Sequence, residues 1–535
     1  MAMMMLSIFT VISTLIVLQT ARAAEGAPRV CNAAVKHLHL AVGQNPSREM
    51  TISFASTWTD IDSGNDVEKP VGGVFVGLSP DDLKFIPQQE FPFRYHVLME
   101  HKTKPNTTYW SPFQHHITIN DLSPNTMYYY VAVVGKSGEE IESMAGVKRK
   151  YSKTRQEEKD SLFGREWKRG VNGTVRRNLT PSPYNGTAMP CFDNRNVRSF
   201  KTAPEQHIDE VTFAIVGDLG QFQHSIQTLK HMTSNRDTID AVILVGDISY
   251  ANGHHENWDT FFDFLDDSLI FHQIPLQVAT GNHDIEKQEN GSDIFQAYEA
   301  RFRMPRVKPA RLEAFDVPGK LNLDAPPYPL PYNWGNAFYS FTYGPALHVI
   351  LSAYSSMEPG SEQYHWLEEK LDDVDRQTTP WLLVSLHTPL YSSFAAHKHD
   401  PQIFAGREHL EPLFVKYQVN IVFTGHIHAY QRTANVAMGR VDTKGPIHIT
   451  VGAGGRQCDA PFKSLEVEDW LLARDASFYG YGLLSVLNRT HAEWSWVPLS
   501  ASDKHDYNYV KDDKDTKLPP LRKDYALISN QFFIP

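Results

Sequence analysis

The sequence predicts an all-β sandwich over about residues 28–203. A layered α/β domain follows over 208–440, with the strands of 441–500 completing it. Three observations carry this reading. Short runs of alternating polarity, separated by turn residues, fill the first part, as in a sandwich. From Val211 onward, longer apolar runs alternate with helical spacing, the pattern of a layered α/β domain. Five of those apolar runs also stop abruptly at a side chain able to bind metal.

The sandwich strands are Met50 to Ala55, Val71 to Gly77, His115 to Ile119, Met127 to Val134 and Val197 to Thr202. Leu122-Ser-Pro-Asn-Thr-Met-Tyr-Tyr-Tyr130 resembles the tyrosine-corner approach to a late strand in fibronectin type III domains, so the sandwich is expected to be fibronectin III-like. Residues 135–196 interrupt it with a charged, turn-rich insertion carrying Lys148-Arg149-Lys150; a solvated insertion is expected there.

In the second part, Trp258, Phe261, Phe262, Leu265 and Leu269 recur at helical spacing, with Asp259, Asp263, Asp266 and Asp267 interleaved on another face. An amphipathic helix covering the sheet is predicted, its aromatics serving as core. Further helices are expected from Ser361 to Leu371 and from Glu408 to Tyr417. Strands are expected over Ile447–Val451, Gly482–Leu487 and His491–Trp496, and residues 501–535 read as a C-terminal extension.

Composition narrows the function. Hydrophobic residues at 41% and charged ones at 21% describe a globular chain. A net charge of −11 argues against nucleic-acid binding and gives no general attraction for phosphate, so any phosphate affinity must be local. Residues 6 to 18 are apolar and Ala21-Arg22-Ala23 follows, which reads as a signal peptide over 1–23, too short to span a bilayer. Neither a spanning segment nor a lipid-anchor tail is read elsewhere, so a secreted or vacuolar/lysosomal protein is expected. Six sequons, at Asn106, Asn172, Asn178, Asn185, Asn290 and Asn488, fit that route as glycosylation sites. Of the three cysteines, Cys31 and Cys191 are able to pair, leaving Cys458 for an intermolecular bridge and hence a homodimer; three buried thiols are the alternative.

The strand ends carry the chemistry. Val211 to Val216 runs into Gly217-Asp218, and Ala241 to Val245 into Gly246-Asp247-Ile248-Ser249-Tyr250. Leu276 to Thr280 runs into Gly281-Asn282-His283-Asp284. Trp381 to Leu386 ends at His387, and Ile421 to Thr424 at Gly425-His426-Ile427-His428. Continuous Val/Ile/Leu runs mark strands buried on both faces, and ligands gather beyond the carboxyl ends of such strands. One such aspartate is most simply a turn former or helix cap; five coordinated endings are not.

The set Asp218, Asp247, Tyr250, Asn282, His387, His426 and His428 resembles the metal site of the purple acid phosphatases, members of the calcineurin-like metallophosphoesterases. The sandwich-first layout resembles the larger, plant-type form. Tyr250 is the discriminating residue. The resemblance implies one metal on Asp218, Tyr250 and His428, a second on Asn282, His387 and His426, and Asp247 bridging. Phenolate and carboxylates suit Fe(III); the Asn-His-His set suits a divalent iron, zinc or manganese. It further implies an acid phosphatase that hydrolyses phosphate monoesters by in-line attack of a metal-bound hydroxide, without a phosphoenzyme. His283 and His397 match substrate-contacting histidines. His399 and Asp400 are further candidates, Asp400 as an orienting group. His254-His255 reads as a surface turn. The rival readings are a diesterase or pyrophosphatase of the same superfamily and a secreted, non-catalytic binding protein with a vestigial site. Small phosphorylated substrates are the expected partners, with neither nucleic acid nor membrane.

Overall fold

The computed structural model describes residues 33–58, 70–101, 104–135, 167–169, 175–177, 197–206, 210–286, 294–309, 322–464, 467–499 and 524–533. The leader, most of 135–196, Cys31, Cys191 and the sequons at Asn172, Asn178, Asn185 and Asn290 lie outside these residues. So does the side chain of Asn106.

The first part holds β1 (Ala33–Val42), β2 (Met50–Trp58), β3 (Val71–Ser79), β4 (Asp82–Pro87), β5 (His96–His101), β6 (Lys104–Trp110), β7 (Phe113–Ile119) and β8 (Met127–Gly135). The short hairpin β9 (Trp167–Arg169) and β10 (Val175–Arg177) follows, then β11 (Arg198–Lys201). A three-stranded sheet, β1-β2-β7, faces a four-stranded one, β11-β8-β3-β4. Leu40, Ile52, Phe54, Val74, Ile117, Tyr130 and Phe200 pack between them. That is the expected sandwich. Tyr128 closes its corner: the phenolic oxygen accepts the backbone N–H of Ser123 at 2.9 Å, as the sequence around Leu122 implies.

The second part contains β12 (Val211–Val216), β13 (Ala241–Val245), β14 (Leu276–Ala279), β15 (Tyr339–Tyr343), β16 (Ala346–Ile350), β17 (Trp381–Ser385), β18 (Ile421–Thr424), β19 (Tyr430–Ala437), β20 (Arg440–Val441), β21 (Ile447–Val451), β22 (Leu471–Asp475), β23 (Gly480–Val486), β24 (His491–Pro498) and β25 (Asp524–Ser529). They form two sheets. One has six strands, ordered β14-β13-β12-β23-β24-β25. The other has eight, with the parallel set β16-β17-β18-β21 at its centre. The parallel strands β12, β13 and β14 and the strands β16, β17 and β18 are buried along their whole lengths. Burial on both faces is why each reads as an unbroken apolar run.

Helices α1 (Gln223–Ser234), α2 (His255–Ser268), α3 (Gln296–Arg301), α4 (Glu362–Asp372), α5 (Pro401–Ala405) and α6 (Glu411–Lys416) cover the sheets. Ser361 caps α4 by accepting the N–H of Tyr364 at 3.3 Å, a contact of about 1 kcal/mol. The helix expected from Glu408 instead begins at Pro401 and passes through a π turn over Gly406–Leu410 before α6. Pro412, which has no N–H to give, stands just after that π turn. Sequence pattern did not disclose α1, because Ser225, Thr228 and Thr233 face inward beside Leu229 and Met232.

Three of the four aspartates of α2 face the first part of the chain. Asp266 accepts the backbone N–H groups of His37 (2.5 Å) and Leu38 (2.9 Å), and Asp263 lies 3.1 Å from His37 Nε2. Asp259 accepts from Tyr109 and from the buried Arg301 guanidinium, both at 2.8 Å, and Arg301 also donates to Tyr95 and Tyr109. His255 is buried against both tyrosines, so the surface turn read for it is corrected. Of the C-terminal extension, residues 524–533 are described. Asp524–Ser529 pairs with β24, and the Asp524 carboxylate takes Arg432 in a two-pronged bond and the Tyr430 hydroxyl. Among the described residues, no helix is long and apolar enough to cross a membrane.

Candidate metal centre

All seven expected metal-binding residues meet where the two sheets end together. The six-stranded sheet supplies Asp218, Asp247, Tyr250 and Asn282 from just beyond β12, β13 and β14. The eight-stranded sheet supplies His387, His426 and His428 from beyond β17 and β18. Asp218, Asp247, Tyr250 and His426 hold backbone φ of 56°, 50°, 53° and 67°, a region that non-glycine residues seldom occupy outside functional sites. Close approach explains the glycine before Asn282: a Cβ on Gly281 would lie 2.1 Å from Asp247 Oδ1.

Two groups of donors face each other. Tyr250 donates to Asp218 Oδ1 at 3.0 Å and lies 2.8 Å from His428 Nε2, which is 3.4 Å from the same carboxylate oxygen. Asn282 Oδ1 is 3.2 Å from His387 Nε2 and 3.1 Å from His426 Nδ1. Asp247 stands between, its Oδ1 3.4 Å from His387 Nε2. Ligand atoms of Asp218, Asp247 and His387 all lie within 4.8 Å of one another.

The far side of each imidazole decides what the near side can do. His387 Nδ1 donates to the Val245 carbonyl at 2.8 Å, leaving a lone pair on Nε2. His426 Nε2 donates to Asp400 Oδ2 at 2.8 Å, leaving a lone pair on Nδ1. Both lone pairs then face the amide oxygen of Asn282, an acceptor. Three acceptors crowded together beside two buried carboxylates call for a cation. Among the described residues, no lysine or arginine is paired with Asp218 or Asp247. The donor set therefore fits a metal pair.

Titration follows the same logic. Burial alone would lower His387, but the carboxylates of Asp247 and Asp218 outweigh it and push the imidazole up to about 9; a proton answers the charge where a cation would. Burial, with Asp218 and Asp247, pushes the Tyr250 phenol well up. Burial would raise Asp247, but His387 and His283 hold it below the usual carboxylate range.

One further histidine flanks each group. The His283 ring lies 4.6 Å from that of Tyr250, with its Nδ1 2.5 Å from Asn252 Oδ1. The His397 ring lies 4.0 Å from that of His426, and its Nδ1 donates to Asp400 Oδ2 at 3.1 Å. Burial disfavours charge on both. At His283 burial prevails and lowers the imidazole; at His397 the bond and charge of Asp400 prevail and raise it. One oxygen of Asp400 thus orients both His397 and His426. His399 is exposed and is not brought into the cluster.

Two residues had no role in the sequence reading. Asp284 straps the second and third loops together, accepting from Ile248 N–H (2.9 Å) and Gly281 N–H (3.0 Å). Its place in Gly281-Asn282-His283-Asp284 was the available signal. Tyr354 donates to Asn282 Oδ1 at 3.0 Å. It follows β16, a sixth apolar run ending at a polar side chain.

Three family models match this chain. Residues 35–155 match the purple acid phosphatase N-terminal domain, 211–430 the calcineurin-like phosphoesterase, and 445–507 the iron/zinc purple acid phosphatase-like protein C. Two of these models are named for purple acid phosphatases, and this chain is similar to that family in both of its parts. Probable purple acid phosphatase 20 of Arabidopsis thaliana is 38% identical over 56% of this chain and 64% of the relative. Fe(3+)-Zn(2+) purple acid phosphatase 12 of the same plant is 35% identical over 53% of this chain and 59% of that protein. The chain thus spans about three fifths of the length of the curated purple acid phosphatases it matches. The solved purple acid phosphatase PPD1 of yellow lupin seeds shares the fold, with a TM-score of 0.61 at 21% identity over 93% of this chain and 74% of that one.

Cys458 is buried and donates to the Phe478 carbonyl at 3.0 Å, which corrects its reading as a thiol free for an intermolecular bridge.

Proposed function

We propose that this protein is an acid phosphatase that hydrolyses phosphate monoesters at a paired Fe(III)–divalent metal centre in an extracellular, vacuolar or lysosomal compartment. The observation that carries the reading is the opposed lone pairs: His387 Nε2 and His426 Nδ1 face Asn282 Oδ1 at 3.2 and 3.1 Å beside two buried carboxylates. Two matching models named for purple acid phosphatases and a relative named for Fe(3+) and Zn(2+) support it. When bound, such a pair supplies Lewis acidity for water and positive charge for phosphate oxygens.

The chain's own residues divide the remaining work. Asp218, Tyr250 and His428 would hold one ion, Asn282, His387 and His426 the other, and Asp247 both. His283, fixed through Nδ1 by Asn252, flanks the place of the phosphate and would donate to it from Nε2 only as the imidazolium that the anion's charge favours. His397, fixed through Nδ1 by Asp400, presents Nε2 to the leaving alcohol and returns it a proton. The apolar leader and the sequons support export, and Asn488 is exposed in the turn before β24, where a glycan has room.

Metal analysis, a visible spectrum and assays with p-nitrophenyl phosphate and its diester on one preparation test the proposal. Two metals per chain, a visible band lost in Tyr250→Phe, and faster monoester turnover are expected. Metal-free protein, or a band unchanged in Tyr250→Phe, would refute the assignment.

A further inference from the structure

Among the described residues, one cation at the edge of the cluster spends none of its side-chain donors on the site. Arg456 follows Gly452-Ala453-Gly454-Gly455, and its backbone N–H donates to the Asp218 carbonyl at 3.1 Å. The loop is pressed against the first strand end: a Cβ on Gly455 would lie 2.4 Å from the Leu219 carbonyl oxygen. Arg456 is therefore fixed to the backbone that presents Asp218. Its guanidinium carbon stands 4.8 Å from the centre of the Phe222 ring and 5.5 Å from that of Tyr250. The same Tyr250 ring packs on His283. Arg456 is half-buried, and among the described residues no hydrogen bond or ion pair engages its guanidinium.

Stacking on aromatic faces uses the plane of a guanidinium and leaves its N–H groups, which point outward in that plane, free to fork onto an oxyanion. A half-buried cation that spends none of its donors inside the protein is arranged for a ligand. The net charge of −11 gives this acidic chain no general pull on anions, so a fixed, unpaired arginine beside the site is a local one.

We propose that Arg456 forms a subsite for a second anionic group of the substrate, a phosphate or carboxylate held beside the phosphoryl group that is cleaved. The idea rests on the phosphatase reading above and narrows it to substrates with two acidic groups close together. Arginine suits the task because two parallel N–H···O bonds select a planar or tetrahedral oxyanion, which a point charge does not.

Calorimetric titration of the metal-loaded protein with three non-hydrolysable probes tests it: methylphosphonate, phosphonoacetate and methylenebisphosphonate. Arg456→Gln is expected to weaken at least one of the two doubly acidic probes about tenfold or more, while methylphosphonate shifts less than about threefold. Arg456→Lys should restore part of that loss. Whichever doubly acidic probe falls further shows whether the second group is a carboxylate or a phosphate. Equal loss for all three probes, or no loss, overturns the subsite, as does a wild type that binds methylphosphonate as tightly as both others. Equal loss would leave Arg456 as a clamp on Tyr250, which a shifted visible band would also report. Failure of the wild type to hydrolyse p-nitrophenyl phosphate, with the probe pattern intact, would sink the phosphatase reading and leave the subsite standing.

Discussion

The two sheets bring different things to the site. The six-stranded sheet delivers charge: Asp218, Asp247 and the phenol of Tyr250, each from a backbone in the left-handed region and none offset by a lysine or arginine ion pair among the described residues. The eight-stranded sheet delivers direction. His387 and His426 are imidazole donors, each locked by a bond from its far nitrogen, to the Val245 carbonyl and to Asp400. The first half is an electrostatic debt that a cation settles; the second is aimed before any cation arrives. Val245 ends a strand of the charged sheet, so even the aim of His387 depends on how the two sheets pack.

Removing charge should therefore do more damage than removing aim. Asp247→Asn keeps the shape and loses the anion between the two groups. Monoester turnover is expected to fall by about a thousandfold or more, with both metals depleted after gel filtration. Turnover within tenfold of wild type would break the comparison.

Asp400→Asn takes away orientation only. A second-shell carboxylate of this kind is worth about 10- to 100-fold in metal affinity or activity. The divalent ion should be lost selectively, by metal analysis, while the visible band tied to Tyr250 persists. Loss of the band together with the divalent ion would mean that the halves are not separable.

A smaller effect contrasts the site's histidines with one in the core. His348 is buried between Phe213 and Phe341, and among the described residues neither ring nitrogen has a partner. Burial holds it down to about 3, while the unfolded chain takes its proton near 6.5. The unfolded state thus binds more protons between those values. Stability from this group is complete above pH 6.5 and declines as pH falls toward 3, by about 2 kcal/mol at pH 5. His348→Leu should remove about that much from the difference in unfolding free energy between pH 7 and 5, measured by urea titration. An unchanged difference would show that His348 does not stay neutral.

All five strand ends that carry the candidate donors were legible as apolar runs cut off at a polar side chain, because a parallel strand buried on both faces has nothing polar to interleave. The identity of each donor was legible for the same reason: it is the first side chain to leave the core. The acidic face of α2 was legible as a second face but not as the one that docks on the sandwich. Its partners, His37 and Leu38, lie more than two hundred residues away in the chain.

What the sequence determined by itself, then, was local: which runs are buried, where they stop, and which donors stand at their ends. Only the tertiary structure decided that those ends belong to two sheets, that Asp400 aims His426 as well as His397, that Tyr354 backs Asn282 and that Asp524–Ser529 closes the six-stranded sheet. Hydrophobic periodicity records how one segment meets the core. A hydrogen bond between distant segments leaves no mark on either until packing brings them together.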